Sequence, residues 1–150
     1  MKTLVHALID WPQGVARHFY WIAPLFARFA VGWVFLWSGW GKLTHLELVT
    51  ENFAGWGIPL PELLAPFVSG VEFIGGICLL VGIFTRIFAG ALAVVMLVAI
   101  ATVQLEQVDS LLTLLGLEEV QFLALFLWLA IAGPGTVSVD RVLQGRMGQP

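Results

Sequence analysis

Charges are spaced so far apart along this chain that it divides into long apolar runs separated by short polar knots. Residues 20–41 carry Arg28 as their one charge. At 1.5 Å per residue they extend roughly 33 Å, enough to cross a hydrocarbon core about 30 Å thick. Pro24 falls in the first turn of this run, where a missing N–H costs nothing. Residues 61–84 open on Pro61 and Glu62, a favourable proline and acid for a helix N-terminus, and hold a single interior charge, Glu72. Residues 87–105 contain no charge, and Ala89 with Ala93 gives a small edge for close helix packing. Residues 120–132 form a fourth, shorter run that Gly133-Pro134-Gly135 stops. Between these runs, 43–60 mixes Glu47, Glu51, Asn52, Gly55, Gly57 and Pro59 and reads as a loop, with room for one short helical turn. Thr85 and Arg86 read as a tight turn, and Glu106, Asp109, Glu118 and Glu119 bracket a further loop.

Ahead of the first run, Leu4, Val5, Leu8, Ile9 and Trp11 recur at helical spacing beside Lys2, His6, Asp10, Arg17 and His18, with Pro12 and Gly14 interrupting. This pattern predicts a short helix lying in the membrane interface. Its apolar stretch ends at Asp10 and no small-x-small cleavage site follows, so the segment is expected to be retained. The pattern therefore predicts an all-α, polytopic membrane protein: an interfacial segment over 1–19, a four-transmembrane-helix bundle over 20–143, and a C-terminal tail over 144–150.

Composition supports the bilayer. Hydrophobic residues make up 59% of the chain and charged residues 11%, with a mean hydropathy of +0.93, too few charges to cover a water-facing surface. Lys2, Arg17, Arg28, Arg86, Arg141 and Arg146 fall on one side of the predicted topology and Lys42 alone on the other. That bias places both termini in the cytoplasm, in a multi-pass protein of the inner membrane. Cys78 is the one cysteine, which excludes an internal disulfide and a CxxC pair. His6, His18 and His45 lie on both sides of the membrane in this topology, so no histidine metal site is expected. No phosphate loop, dinucleotide fingerprint, nucleophile elbow or nucleic-acid-binding basic surface is present.

Glu72 lies about 16 Å into the core, near the midplane, where a carboxylate has to be paired, wetted or held protonated. Arg28 is its expected partner if the first span starts at Tyr20; if the span starts at Pro24, Arg28 instead snorkels to the headgroups. Lys42 ends the first span at the opposite surface, where it either snorkels or attracts an anion toward Glu72. Trp33, Trp37 and Trp40 share one helix face, which serves as packing, as an interfacial anchor, or as a platform for a quinone ring. Gly75 and Gly76 leave a hollow beside Glu72 for either a neighbouring helix or a ligand.

The segments Arg28-Phe29-Ala30-Val31-Gly32, Ser38-Gly39-Trp40-Gly41-Lys42-Leu43 and Gly57-Ile58-Pro59-Leu60-Pro61 occur in order. They are followed by the run from Glu72-Phe73-Ile74-Gly75-Gly76 through Gly82-Ile83-Phe84-Thr85-Arg86, and by Gly133-Pro134-Gly135-Thr136-Val137-Ser138-Val139-Asp140. Together they resemble the DoxX family of small four-helix membrane proteins over roughly 27–143. The resemblance implies a place in membrane redox systems. Its members include a subunit of an archaeal thiosulfate:quinone oxidoreductase and a membrane partner in a thiol-oxidative-stress complex. It also lends weight to Arg28, Lys42, Glu72 and Arg86 as a group. The expected function is an integral membrane subunit or accessory of a quinone-linked redox system. Its partners would be the bilayer, a quinone and another protein subunit or a second copy of the chain. In that function Glu72, tuned by Arg28, carries the proton, while Trp33, Trp37, Lys42, Gly75 and Gly76 line the cofactor. The rival expectations are a non-catalytic scaffold recruiting a partner protein and a small-solute transporter.

Overall fold

A computed structural model describes residues 2–104 and 108–147, and the side chains of 2–7, 9, 10 and 147 lie outside the description. Eight α-helices follow one another in the described residues: α1 (Lys2–Phe19), α2 (Ile22–Thr44), α3 (Leu46–Gly55), α4 (Pro61–Val81), α5 (Thr85–Ala99), α6 (Leu111–Gly116), α7 (Glu118–Ala132) and α8 (Val139–Met147). A π-helical turn, Ile100–Gln104, continues α5. The fold is all-α, as the apolar runs predict. Among the described residues, three helical stretches are long and apolar enough to cross a membrane: α2, α4, and α5 with its π turn. The fourth, α7, has 15 residues and extends about 22 Å, short of a full core on its own.

The core is built where α2 packs along α4, and where α5 packs along α7 and against α4. Val31 and Phe35 of α2, Leu79 of α4, Ala89, Leu92, Ala93 and Met96 of α5, and Phe126 and Leu129 of α7 are all buried there. Phe35 meets Phe122 and Phe126 edge-on, with ring centroids 5.3 and 4.9 Å apart, a favoured aromatic geometry. The remaining faces carry large apolar side chains outward, which is the surface a lipid-solvated bundle presents.

Several boundaries differ from the sequence expectation. The stretch 43–60 is not a loop: α2 runs to Thr44, His45 alone breaks the helix, and α3 packs Phe53 against Ile58 and Ala65. The turn between α4 and α5 is 82–84 rather than Thr85 and Arg86. Gly82 takes a left-handed conformation at φ 76° as the α4 cap, and Thr85 already belongs to α5. Helix α7 begins at Glu118 rather than Val120 because both acids sit favourably in its first turn. The loop before it contains α6, capped by the Ser110 hydroxyl accepting from the Thr113 amide at 3.1 Å. The Thr113 hydroxyl donates to Asp109 at 2.7 Å and holds that carboxyl below its ordinary range. Helix α1 continues through Pro12 and Gly14, which do not interrupt it, and α8 crosses the expected 143/144 boundary. Leu105, the expected end of the third span, and the loop acid Glu106 lie outside the described residues, as do 148–150 of the tail.

Candidate functional site

Helices α2 and α4 approach so closely that only glycine fits at Gly39 and Gly76, and Gly32 leaves a Cβ only a tight contact. A Cβ on Gly39 would fall 2.3 Å from the Phe73 nitrogen, and one on Gly76 2.4 Å from the Leu36 nitrogen. A Cβ on Gly32 would meet the Gly76 oxygen at 3.0 Å. Backbone contact of this kind fixes the register of the two helices. It sets Ser38 and Lys42, one turn apart on the same face of α2, against Glu72 of α4.

Glu72 is 1% exposed, and both of its oxygens are engaged. The Ser38 hydroxyl donates to Oε2 at 2.9 Å, and the Lys42 ammonium donates to Oε1 at 2.5 Å. The Lys42 side chain is 35% exposed, so the pair has one sealed member and one that reaches the rim of the bundle. Charge-assisted hydrogen bonds are the strong ones, and a buried carboxylate holding two partners is the arrangement that makes its burial tolerable. Just past Lys42, the α2–α3 elbow opens a groove of about 500 Å³ lined by Leu43, Thr44, His45, Leu46, Glu47 and Leu48.

The expected Arg28–Glu72 pair does not form. Arg28 is 14 residues before Lys42 on the same helix, about 21 Å along its axis, beyond the reach of a guanidinium. It is buried to 1% exposure at the other end of the bundle, so it does not snorkel either. There it donates to the Val137 carbonyl and packs against Gly82. Arg86 donates to the Ala130 and Ile131 carbonyls at 2.9 and 2.5 Å, satisfying the C-terminus of α7.

Asp140 joins this second polar cluster and is the residue that sequence reasoning missed. Its carboxylate accepts from the Phe84 amide at 2.7 Å and the Thr85 amide at 2.9 Å, while its own amide donates to the Gly82 carbonyl at 2.9 Å. It therefore caps α5 from a distant part of the chain and holds Phe84 at φ 50°, a conformation that bulky residues avoid. The available signal was an acid five residues after a glycine-rich stop, on an end otherwise crowded with arginine. Asp140→Ala is expected to lower stability by about 1–2 kcal/mol, with Asp140→Asn losing less, as thermal unfolding in detergent would read.

The other predicted site residues separate. Trp33 and Trp37 lie on the far side of α2 from Lys42, about half exposed, in an aromatic ladder that also contains Phe29. Trp40 is half exposed and meets Phe73, the neighbour of Glu72, at 5.7 Å. Gly75 and Gly76 leave no hollow, because α5 fills the first through Leu92 and Phe88 and α2 fills the second through Leu36 and Gly32. Among the described residues, no group of three His, Cys, Asp or Glu side chains is placed to hold a metal ion.

The DoxX family model matches residues 23–105, which contain Ser38, Lys42 and Glu72. The chain is 30% identical over 122 residues to the inner membrane protein YqjF of Escherichia coli (strain K12), covering 81% of this chain and 92% of that one. It is 30% identical over 123 residues to the inner membrane protein YphA of the same organism, covering 78% and 87%. CatD of Bacillus subtilis (strain 168), provisionally named an oxidoreductase, is 29% identical over 121 residues, covering 79% and 85%. No solved structure matches the chain.

Proposed function

The chain belongs to the DoxX family of membrane proteins, and from that premise we propose that it serves as a subunit or accessory of a quinone-linked membrane redox system, with Glu72 and Lys42 as its proton-handling pair. The observation that carries this reading is a carboxylate 1% exposed inside a membrane bundle, bonded to an ammonium that reaches the rim. Ionisable groups held inside a membrane are costly and mark proton or ligand paths. The oxidoreductase name of the relative CatD points the same way.

The rim residues fit a quinone headgroup. Lys42 offers an N–H donor at the rim where a carbonyl oxygen would dock. A quinone, when bound, would supply two-electron, two-proton redox chemistry, with its electrons coming from a partner subunit. Lys42 would orient the oxygen and give it one proton, the Glu72 carboxylate would hold the ammonium in place, and water at the exposed rim would return the proton to Lys42 and supply the second. Ser38 keeps Oε2 of Glu72 facing α2, so that Oε1 stays on Lys42. In this reading the Arg28 end faces the cytoplasm, in keeping with the bias of the basic residues.

In native membranes, Glu72→Gln is expected to lower quinone-dependent turnover about a hundredfold while the folded protein persists. Full turnover in that variant would sink the proton role. The scaffold reading has its own support, since both Glu72 oxygens are satisfied internally and could simply staple α2 to α4. Native mass spectrometry separates the two: retained quinone favours the redox reading, and a partner subunit without quinone favours the scaffold.

A further inference from the structure

Helix α1 presents an apolar stripe that nothing among the described residues covers. Leu8, Trp11, Val15 and Phe19 recur at i, i+3, i+7 and i+11, fall within an arc of about 80°, and are all exposed. Gln13 and Arg17 occupy the opposite side of the helix and are also exposed. Only Tyr20 and Trp21 separate α1 from α2, so its C-terminal end is tethered where the first span meets the membrane surface.

The same end of the bundle gathers positive charge. Helix α8 is pinned there because Asp140 bonds the first amides of α5, and α8 exposes Arg141 and Arg146 to the surroundings. Arg86 at the start of α5 and Arg17 at the end of α1 stand on that end too. The acid among them, Asp140, is occupied by backbone amides. Asp10 is the acid of α1. Apolar stripe, interfacial aromatics and an excess of arginine are the combination that seats a helix among anionic headgroups.

We infer that α1 is an in-plane anchor, its Leu8–Trp11–Val15–Phe19 stripe sunk into the acyl boundary, and that with α8 it forms a basic collar binding anionic phospholipid headgroups on that leaflet. The collar selects lipid by charge and the stripe sets the depth. Neither depends on the redox reading of Glu72.

The test uses the full chain in a Cys78→Ser background, reconstituted in vesicles of phosphatidylcholine with a minor share of phosphatidylglycerol. Nitroxide labels are placed singly at Leu8→Cys, Val15→Cys, Phe19→Cys, Gln13→Cys and Arg17→Cys. Collisions with oxygen and with a water-soluble nickel chelate are measured. The oxygen-to-nickel ratio is expected to be about tenfold higher at 8, 15 and 19 than at 13 and 17. Stripe labels reached by nickel would overturn the anchor. Stripe labels closed to both probes would overturn it as well, in favour of a protein partner or a second copy. For the collar, native mass spectrometry of Arg17→Gln and Arg146→Gln should show retention of phosphatidylglycerol over phosphatidylcholine falling about fivefold per arginine removed. An unchanged lipid ratio would overturn the anionic selection.

Discussion

Lys42→Met lowers the stability of the bundle by about 3 kcal/mol, and adding Glu72→Leu to it restores most of that loss. Methionine keeps the unbranched stem of lysine along α2, so the change removes the ammonium and little packing. What remains is a carboxylate 1% exposed, with Ser38 as its sole partner. An uncompensated buried charge is the costly state, whereas an apolar pair of similar volume is close to neutral. The 35% exposure of the Lys42 side chain holds the figure at the lower end of the range for buried pairs. Equilibrium unfolding in mixed micelles, followed by tryptophan fluorescence, reads all three variants. If Lys42→Met unfolds like the parent, the ion pair contributes nothing. The double variant also divides structure from the proposed redox role, since under that proposal it should fold and yet support no quinone-dependent turnover.

The spans themselves were legible in the chain because a membrane leaves little choice: α4 and α5 are apolar runs bounded by Pro61 and Gln104. Glu72 was legible for the same reason, as an isolated interior charge. Its partner was not. Arg28 and Lys42 lie on one helix, and which of them meets Glu72 depends on the register against α4. Register is decided by backbone contact at Gly32, Gly39 and Gly76, a property of paired helices that no single run displays. The missed helix α3 shows a different limit. Gly55, Gly57 and Pro59 do mark a break, but they mark the end of a helix whose apolar face, with Val49 and Phe53, is short and buried only against the first turns of α4. Glu118 and Glu119 were read as loop because acids suggest solvent, although the N-terminus of a helix is also where they are stable.

Gly39→Ala, set beside Gly41→Ala, isolates that register. The two glycines are two residues apart in α2 and gain the same helix propensity on becoming alanine, up to about 1 kcal/mol. Around Gly41 nothing lies within 4 Å of the new methyl group, so Gly41→Ala is expected to be neutral or stabilising. Around Gly39 the methyl would sit 2.3 Å from the Phe73 nitrogen and 2.6 Å from its Cα, backbone atoms that cannot turn aside as a side chain would. Relief requires α2 to retreat from α4. That retreat lengthens the Ser38 and Lys42 contacts to Glu72 and loosens the packing of Val31 and Phe35, at a combined cost of about 3 kcal/mol. Unfolding midpoints for the pair of variants should therefore separate, with Gly39→Ala falling well below Gly41→Ala. Coincident midpoints would mean that the helices have slack at this crossing, and the Lys42–Glu72 pair would then have to hold its geometry without the glycine contact.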